Sequence, residues 1–567
     1  MNWVPDWLRR YQPAWLAGDL TAGMIVTVML IPQSLAYALL AGLPPEVGLY
    51  ASILPIVAYA VFGSSMTLAV GPVAVASLMT ASALQPLAAA GSAEYVALAV
   101  QLSLISGAML LAFAALRLGF LAYFLSHPVI SGFISGSAVL IAVGQMKYIL
   151  GVKVVGSDVL ETLAGLARAL PQTQPATLAI GVTSLLFLLL ARNYLALALN
   201  RLGMPGKAAE LMGKLAPMAA VVASTAAVAV FNLNESAGVS VVGPVPSGLP
   251  QLSLALPAMT TWSQLWLPAL LITLVGFVES VSVAQSLALK RQERIRPNRE
   301  LLGLGAANVA SALSGGYPVA GGFARSVVNF SAGANTPLAG VVSAALMAVV
   351  IAAMTGLFHY LPHAVLAATI IVAVTSLIDL KTLREAWHYD RADAASLLAT
   401  FLGVVVLGVE SGILAGVALS LGVLVWRSSH PHIAVVGRVP GTEHFRNVDR
   451  HAVQTVPGLL AVRPDESLYF ANATVLEARI EALLAKDPAV SRVLLICSAI
   501  NQIDTTALGV LTELERSLAA RGIDLMFAEV KGPVMDRLQP TDLGRQLQGR
   551  VFLSVHEAFE HASLVRS

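Results

Sequence analysis

Two charged side chains stand inside apolar stretches with no evident route to water. They are Glu279, in Gly276-Phe277-Val278-Glu279-Ser280, and Arg325, in Val319-Ala320-Gly321-Gly322-Phe323-Ala324-Arg325-Ser326. Hydrocarbon surroundings penalise the charged form of a carboxylate, so a group such as Glu279 can take up a proton and give it back. The same carboxylate can instead ligate sodium alongside Ser280 or Ser282, or act as a fixed counter-ion for Arg325. An arginine at that depth is costly unless it meets a cavity, an anion or a partner group. The structural alternative is an arginine paired with backbone carbonyls. Taken together, the two charges point to anion binding coupled to a cation.

The elements that must position them are hydrophobic segments interrupted by small residues. Arg325 falls in the first turn after the break Val319–Ala324, and a matching break, Ala69-Val70-Gly71-Pro72-Val73-Ala74, lies in the first half of the chain. Interrupted segments at corresponding places in two halves are the best sequence pointer to a transporter site. The bland alternative is that Gly and Pro merely kink packed helices. If two half-helices begin at these breaks, their N-termini aim unpaired N–H groups and positive dipole ends at one place, which favours an anion. Ser326 and Ser77 are candidate hydroxyl donors. Gln33 follows Pro32, whose ring frees a backbone carbonyl, and is a candidate lining residue. A faint echo supports two related halves: Gln33-Ser34-Leu35-Ala36 recurs as Gln285-Ser286-Leu287-Ala288, each about forty residues before its break.

Composition frames these sites. The 567 residues are 57% hydrophobic and 12% charged, roughly half the charge of a soluble domain. That excludes disorder, a fibrous repeat and an ordinary cytosolic enzyme, and implies a polytopic membrane protein. A net charge of +2 gives no nucleic-acid signal. The single cysteine, Cys497, excludes an intramolecular disulfide framework and a thiolate metal cluster. The opening residues Trp3, Pro5, Trp7, Arg9 and Arg10 do not form a signal-peptide core. No P-loop, HExxH or CxxC is present, so ATP-driven pumping, enzymatic chemistry and a bound cofactor are not expected.

Fourteen apolar segments are expected, near 18–42, 46–63, 67–88, 95–116, 129–150, 174–195, 215–232, 266–290, 301–314, 320–334, 338–356, 363–378, 394–409 and 411–427. Residues 1–17 precede them. Basic residues cluster in alternate loops: Arg117; Arg192, Arg201, Lys207 and Lys214; Lys290, Arg291, Arg294, Arg296 and Arg299; Lys381, Arg384 and Arg391; and Arg427. The positive-inside rule therefore places both chain ends in the cytoplasm. Seven segments per half make the halves inverted repeats, 18–232 and 266–427. Asp19 is expected to cap the first segment and Glu410 to sit in a tight turn. Lys147, His127 and His363 lie near segment ends, where snorkelling or capping is expected.

After Pro431 the pattern alternates strand and helix, predicting a small α/β domain over 431–567. Strands are expected at Leu459–Val462, Leu468–Phe470, Val493–Ile496, Ile523–Phe527 and Val551–Val555. Asp504, Thr505 and Thr506 fit a helix N-cap.

These features together resemble the SulP family, bacterial and plant relatives of solute carrier family 26. The residues carrying the resemblance are Ile31-Pro32-Gln33-Ser34-Leu35-Ala36-Tyr37-Ala38, Pro128-Val129-Ile130-Ser131-Gly132-Phe133, the Glu279 segment, and Pro318 through Ser326 to Asn329. The tail looks like a STAS domain, with Asp504-Thr505-Thr506-Ala507-Leu508 at its signature turn. The resemblance implies an α-helical polytopic fold, a seven-plus-seven inverted repeat in which a core (segments 1–4 and 8–11) moves against a gate (5–7 and 12–14). It implies an anion held between half-helices 3 and 10, against Gly71, Val73 and Ala74 on one side and Phe323, Ala324, Arg325 and Ser326 on the other, with Gln33 lining the site. Glu279 matches the acid that some members use to couple H⁺ or Na⁺, with Ser280 the candidate ion ligand beside it. Substrates implied are sulfate, bicarbonate, chloride or dicarboxylates. A homodimer in membrane lipid, in a bacterial inner membrane, is also implied. Thr505 matches a residue phosphorylated in some STAS proteins, which admits a cytoplasmic protein partner. Ala324 and Ala507 depart from the family pattern, standing where relatives carry serine and glycine. The expected function is a secondary transporter taking up sulfate or a related oxyanion with H⁺. The alternatives are bicarbonate transport (Na⁺-coupled or in exchange for chloride) and dicarboxylate transport.

Overall fold

The computed structural model describes residues 5–123, 126–154, 159–206, 209, 212–213, 215–253 and 259–564; Trp3, Lys207 and Lys214 lie outside them. The chain divides into two compact units, Met1–Ser420 and Leu421–Ser567.

The first unit is helical. Its first half runs α1 (Leu16–Leu40), α2 (Pro45–Tyr50), α3 (Leu54–Phe62), the two-residue strand β1 (Val70–Gly71), α4 (Ala74–Leu84), α5 (Ala93–Ala115), α6 (His127–Leu150), α7 (Pro175–Leu190) and α8 (Ala216–Phe231). The second half runs α9 (Met259–Lys290), α10 (Pro297–Leu313), β2 (Ala320–Gly321), α11 (Phe323–Ser331), α12 (Leu338–Ala353), α13 (His363–Thr375), α14 (Leu380–Tyr389), α15 (Arg391–Leu407) and α16 (Val409–Ser429). Among the described residues, eight helical stretches are long and apolar enough to cross a bilayer. Pro45, Pro55, Pro128, Pro175 and Pro297 occupy first or second helical positions, where a missing N–H costs nothing. Ser92 caps α5 by accepting from the Tyr95 N–H at 3.1 Å, and Gly151 ends α6 in the left-handed region, φ 67°.

The segment expected at 46–63 is two helices rather than one. Pro55 removes a donor and disfavours helical backbone at the residues before it, so the chain breaks at Ala51–Ile53. The segments at 67–88 and 320–334 are each an extended stretch followed by a short helix, because small residues and proline hold the backbone out of the helix until Ala74 and Phe323.

Packing sorts the helices into two sets. α10 packs against α5 and α3, and α12 against α1; separately, α6 packs against α15 and α13. Close approach in the second set depends on Gly132, where an added Cβ would stand 2.3 Å from the Leu397 carbonyl oxygen.

The second unit carries a six-stranded sheet, ordered β4-β3-β5-β6-β7-β8, from β3 (Ile433–Arg438), β4 (Phe445–Asn447), β5 (Leu459–Pro464), β6 (Arg492–Ile496), β7 (Asp524–Ala528) and β8 (Val551–Phe552). β5 to β8 are parallel, and β3 joins β5 antiparallel. Alternate residues of β6 serve two cores. Val493 and Leu495 pack among residues of α17 (Ala473–Lys486) and α18 (Thr505–Ala520), whereas Leu494 and Ile496 pack with Phe559. The strand expected at Leu468–Phe470 is absent: only Leu468 bridges, to Ile503. Side chains take the ladder's place, Asn472 accepting from the Tyr469 N–H (3.0 Å) and Asp504 from the Phe470 N–H (2.8 Å). Cys497 is buried, and burial pushes its thiol above the usual range, so it is a packing residue.

Candidate functional site

The site is built on a small antiparallel ladder joining the two halves, in which Val70 pairs with Gly321 and Gly71 with Ala320. This reciprocal pairing is what a two-fold relation between the halves requires. Pro72 cannot donate to a ladder, and Val73 is extended (φ −132°, ψ 149°), so α4 begins immediately afterwards. On the other side Gly322 donates to the Ala69 carbonyl at 3.0 Å and leads into α11. The N-termini of α4 and α11 are thus brought together by β1 and β2.

Side chains from four helices clamp this ladder and its flanks. Ser280 on α9 accepts from the Gly321 N–H at 2.8 Å and donates to the Gly276 carbonyl. Asn308 on α10 brackets Val319, accepting from its N–H and donating to its carbonyl, both at 3.0 Å. Ser326 accepts from the Ala69 N–H (2.9 Å) and donates to the Gly322 carbonyl (2.7 Å). Ser77 donates to Val73 (2.8 Å) and bonds the Tyr317 hydroxyl at 3.0 Å. Neither Ser326 nor Ser77 therefore stands as a free donor; both hydroxyls hold the scaffold.

Arg325, in the first turn of α11, is only 2% exposed. Its Nε, Nη1 and Nη2 have no hydrogen-bond partner among the described residues, so the expected alternative of an arginine paired with backbone carbonyls is not what the structure shows. The guanidinium lies against two glycines of the breaks. A Cβ at Gly322 would stand 2.9 Å from Nη2, and one at Gly71 would stand 3.4 Å from it. Gly71 also has φ 153°, which L side chains rarely adopt. Tyr37 and Tyr317, both buried, and Glu279 lie within electrostatic range of the guanidinium. With Asn329, four residues on, Arg325 lines a narrow pocket among Leu30 of α1, Tyr59 of α3 and Ser343 of α12.

Phe323 and Ala324 are exposed, whereas Gly71, Val73 and Ala74 are buried and Gln33 is partly exposed on α1. The first turn of α11 is the more open of the two half-helix starts. Gly322→Ala tests how tightly this geometry is set. The clash is with the far end of a flexible side chain, so the chain should fold normally while the guanidinium is displaced. The expected loss of apparent anion affinity is roughly tenfold, the weight of weakened charged hydrogen bonding, read from the concentration dependence of uptake.

Glu279 is partly exposed and faces an apolar pocket lined by Val129, Ile130 and Phe133 of α6, Val275 and Val278 of α9, and Ile413 of α16. Its Oε2 has no hydrogen-bond partner among the described residues. Glu279 and Arg325 feel each other's charge but are not hydrogen-bonded. Ser280 has already committed its proton to Gly276, and Ser282 is exposed.

Asp19 does not cap α1, which begins at Leu16. It is fully buried and accepts from the N–H groups of Asn335 (2.6 Å) and Thr336 (3.0 Å) and from the Thr336 hydroxyl (2.7 Å). Glu300 was not singled out in the sequence, yet it is fully buried and accepts from Tyr59, from Ser64 (N–H and hydroxyl) and from the Ser65 N–H. Each carboxylate lies in one half and fastens backbone of the other. The missed signal at Tyr37 was its spacing of four from Gln33 on α1; Tyr317 gave none beyond its place beside Pro318. In the second unit Asp504 caps α18, accepting from the Ala507 N–H at 2.8 Å, and Thr505 is exposed in the first turn.

Comparison with known proteins bears on all of this. The sulfate permease family matches residues 16–400, and the STAS domain family matches residues 450–558. A probable sulfate transporter of Arabidopsis thaliana is 35% identical over 98% of this chain and 82% of its own length. A probable sulfate transporter of Mycobacterium tuberculosis is 34% identical over 99% of this chain and 98% of its own length. Among solved structures, the murine solute carrier 26 family member A9 anion transporter in the inward-facing state superposes with a TM-score of 0.89 at 22% identity, covering 98% of this chain and 93% of that one. The transmembrane domain of a cyanobacterium bicarbonate transporter gives 0.61 at 24% identity, covering 72% and 98% respectively. The two structures show a shared fold. The family match across most of the helical unit, and relatives this similar over nearly the whole chain, place the protein in the sulfate permease family, with a STAS domain after its membrane unit.

Proposed function

We propose that this chain is a secondary active anion transporter that takes up sulfate or a related oxyanion together with H⁺ by alternating access. The observation that carries this reading is Arg325: a buried guanidinium without a hydrogen-bond partner among the described residues, set beside two converging half-helix starts. A tetrahedral dianion presents several acceptor oxygens, and a guanidinium fork plus first-turn N–H groups is a donor set suited to it. In this reading Phe323 and Ala324 contribute backbone N–H groups, and Gly71, Val73, Ala74 and Gln33 shape the opposite wall. Ser326 and Ser280 keep the ladder in register.

Glu279 supplies the coupling. It sits on α9, which packs against α5 of the first set, and faces α6 of the second, and its apolar pocket offers a charged carboxylate little solvation. Protonation makes it neutral for passage across that boundary. The names of the relatives favour sulfate over bicarbonate or dicarboxylate. Basic residues in alternate loops support a cytoplasmic N-terminus and a cytoplasmic STAS domain in a bacterial inner membrane.

Tracer uptake into proteoliposomes, comparing sulfate, bicarbonate and dicarboxylates under separate pH and sodium gradients, tests the assignment. Sulfate uptake should be raised by a pH gradient and indifferent to sodium; preferential bicarbonate uptake on a sodium gradient would replace this reading with the sodium-coupled one. Deleting 431–567 should lower expression or maximal rate while leaving the order of substrate preference intact, because the anion site lies wholly in the first unit. An altered preference order would overturn that division of labour.

A further inference from the structure

α14 is an amphipathic helix whose surroundings are unusual for a loop. It is joined to α13 by residues 376–379 and to α15 by Asp390 alone. Four residues reach at most about 14 Å, so α14 stays close to the ends of α13 and α15. One face of α14, with Leu383 and Ala386, is partly buried. The neighbouring stripe carries Leu380, Arg384 and Trp387, spaced i, i+4, i+7, all exposed; Leu380 is 70% and Trp387 55% exposed. Tyr389, 95% exposed, and Arg391 follow it. Lys381 is also exposed and pairs with Glu385 at 3.6 Å.

An exposed tryptophan and leucine bracketing an arginine suit neither bulk water nor hydrocarbon, but they suit the zone between them. Indole rings settle at headgroup level, and arginine extends its charge to phosphate while its stem stays in apolar surroundings. We propose that α14 is an interfacial helix that binds anionic phospholipid headgroups, with Arg384 on the phosphate, Arg391 adding charge, Trp387 at headgroup level and Leu380 inserted toward the acyl chains. Charge complementarity selects this occupant, since the stripe bears arginine and no acid.

The helix is fastened to the transport machinery. Asp379 caps α14 by accepting from the Thr382 N–H at 3.0 Å and from the Thr382 hydroxyl, and its own N–H donates to Ser135 on α6 at 3.1 Å. α6 also supplies Val129, Ile130 and Phe133 to the Glu279 pocket. Lipid bound at α14 therefore bears on the helix that flanks the coupling residue. The proposal rests on the membrane reading and is independent of which anion or cation is used.

The test uses the full-length protein in vesicles of phosphatidylcholine alone or with phosphatidylglycerol. Quenching of Trp387 by brominated phosphatidylglycerol is isolated by subtracting the signal of Trp387→Phe. Wild type should show quenching that saturates with phosphatidylglycerol content, and Arg384→Ala should shift that titration about fivefold, the equivalent of about 1 kcal/mol for one basic residue at an anionic surface. Arg384→Lys should restore most of the shift. Both substituted residues are exposed, so folding is not at stake. In transport, phosphatidylglycerol should raise the maximal rate of wild type more than that of Arg384→Ala, with unchanged KM. Equal quenching by brominated phosphatidylcholine and phosphatidylglycerol would overturn the proposal, as would an Arg384→Ala titration identical to wild type; the latter is also the outcome if the stripe serves a protein partner. Failure of sulfate transport would leave the quenching result standing.

Discussion

Arg325→Ala is expected to weaken anion binding by about 10- to 100-fold, the equivalent of losing about 1.5–3 kcal/mol of charged hydrogen bonding. The guanidinium is buried, its three nitrogens find no partner among the described residues, and its charge is not cancelled by a bonded acid. Truncation should therefore leave no orphaned partner in the protein, and the unit should fold. Arg325→Lys keeps the charge but loses the planar fork, and Lys and Arg are not equivalent where two acceptors are held at once. An intermediate affinity is expected for it. Concentration dependence of sulfate uptake, with binding measured on purified protein, separates affinity from rate. Wild-type affinity in Arg325→Ala would remove this residue from the site.

Glu279→Gln is expected to abolish pH-driven accumulation while exchange across the membrane survives. The sign follows from the proposal that the protonated form is the one that moves. In the proposed cycle an acidic exterior loads Glu279 from outside, a more alkaline interior unloads it, and net anion uptake follows the proton inward. A gradient of one pH unit is worth about 1.4 kcal/mol per proton, or about tenfold accumulation for each proton carried. Glutamine resembles the neutral acid permanently, so the translocation step is retained and the coupling is not. Measured with equal sulfate on both sides, the variant should still exchange label; measured with an imposed pH gradient, it should not concentrate it. Unchanged pH dependence would sink the coupling assignment.

Much of this was legible in the sequence because charges in hydrocarbon are conspicuous. Glu279 and Arg325 stand out against apolar neighbours, and Gly71-Pro72 and Gly321-Gly322 announce the breaks before α4 and α11. What the pattern could not convey was pairing across the chain. Asp19 looks like a local cap, yet its partners at Asn335 and Thr336 lie more than 300 residues away. Glu300 looks like an acid in the first turn of a helix, yet it is fully buried and holds Ser64 and Ser65 from the other half. Ser326 and Ser77 read as anion donors because a hydroxyl's spacing does not reveal where its proton goes; both protons are given to backbone carbonyls within the scaffold. In the second unit, Leu468-Tyr469-Phe470 has strand-like composition, but Asn472 and Asp504 cap its N–H groups before a ladder can form. β4 spans only three residues and carries too little pattern to read, and β3 follows directly on the Pro431 break ahead of the first expected strand.

The most direct test is concentrative uptake of labelled sulfate into sodium-free proteoliposomes on an imposed inward proton gradient. The expected result is accumulation above equilibrium that collapses with a protonophore, is absent in Glu279→Gln and needs a far higher sulfate concentration in Arg325→Ala. Sulfate uptake that is indifferent to the pH gradient, or wild-type behaviour in both variants, would contradict it.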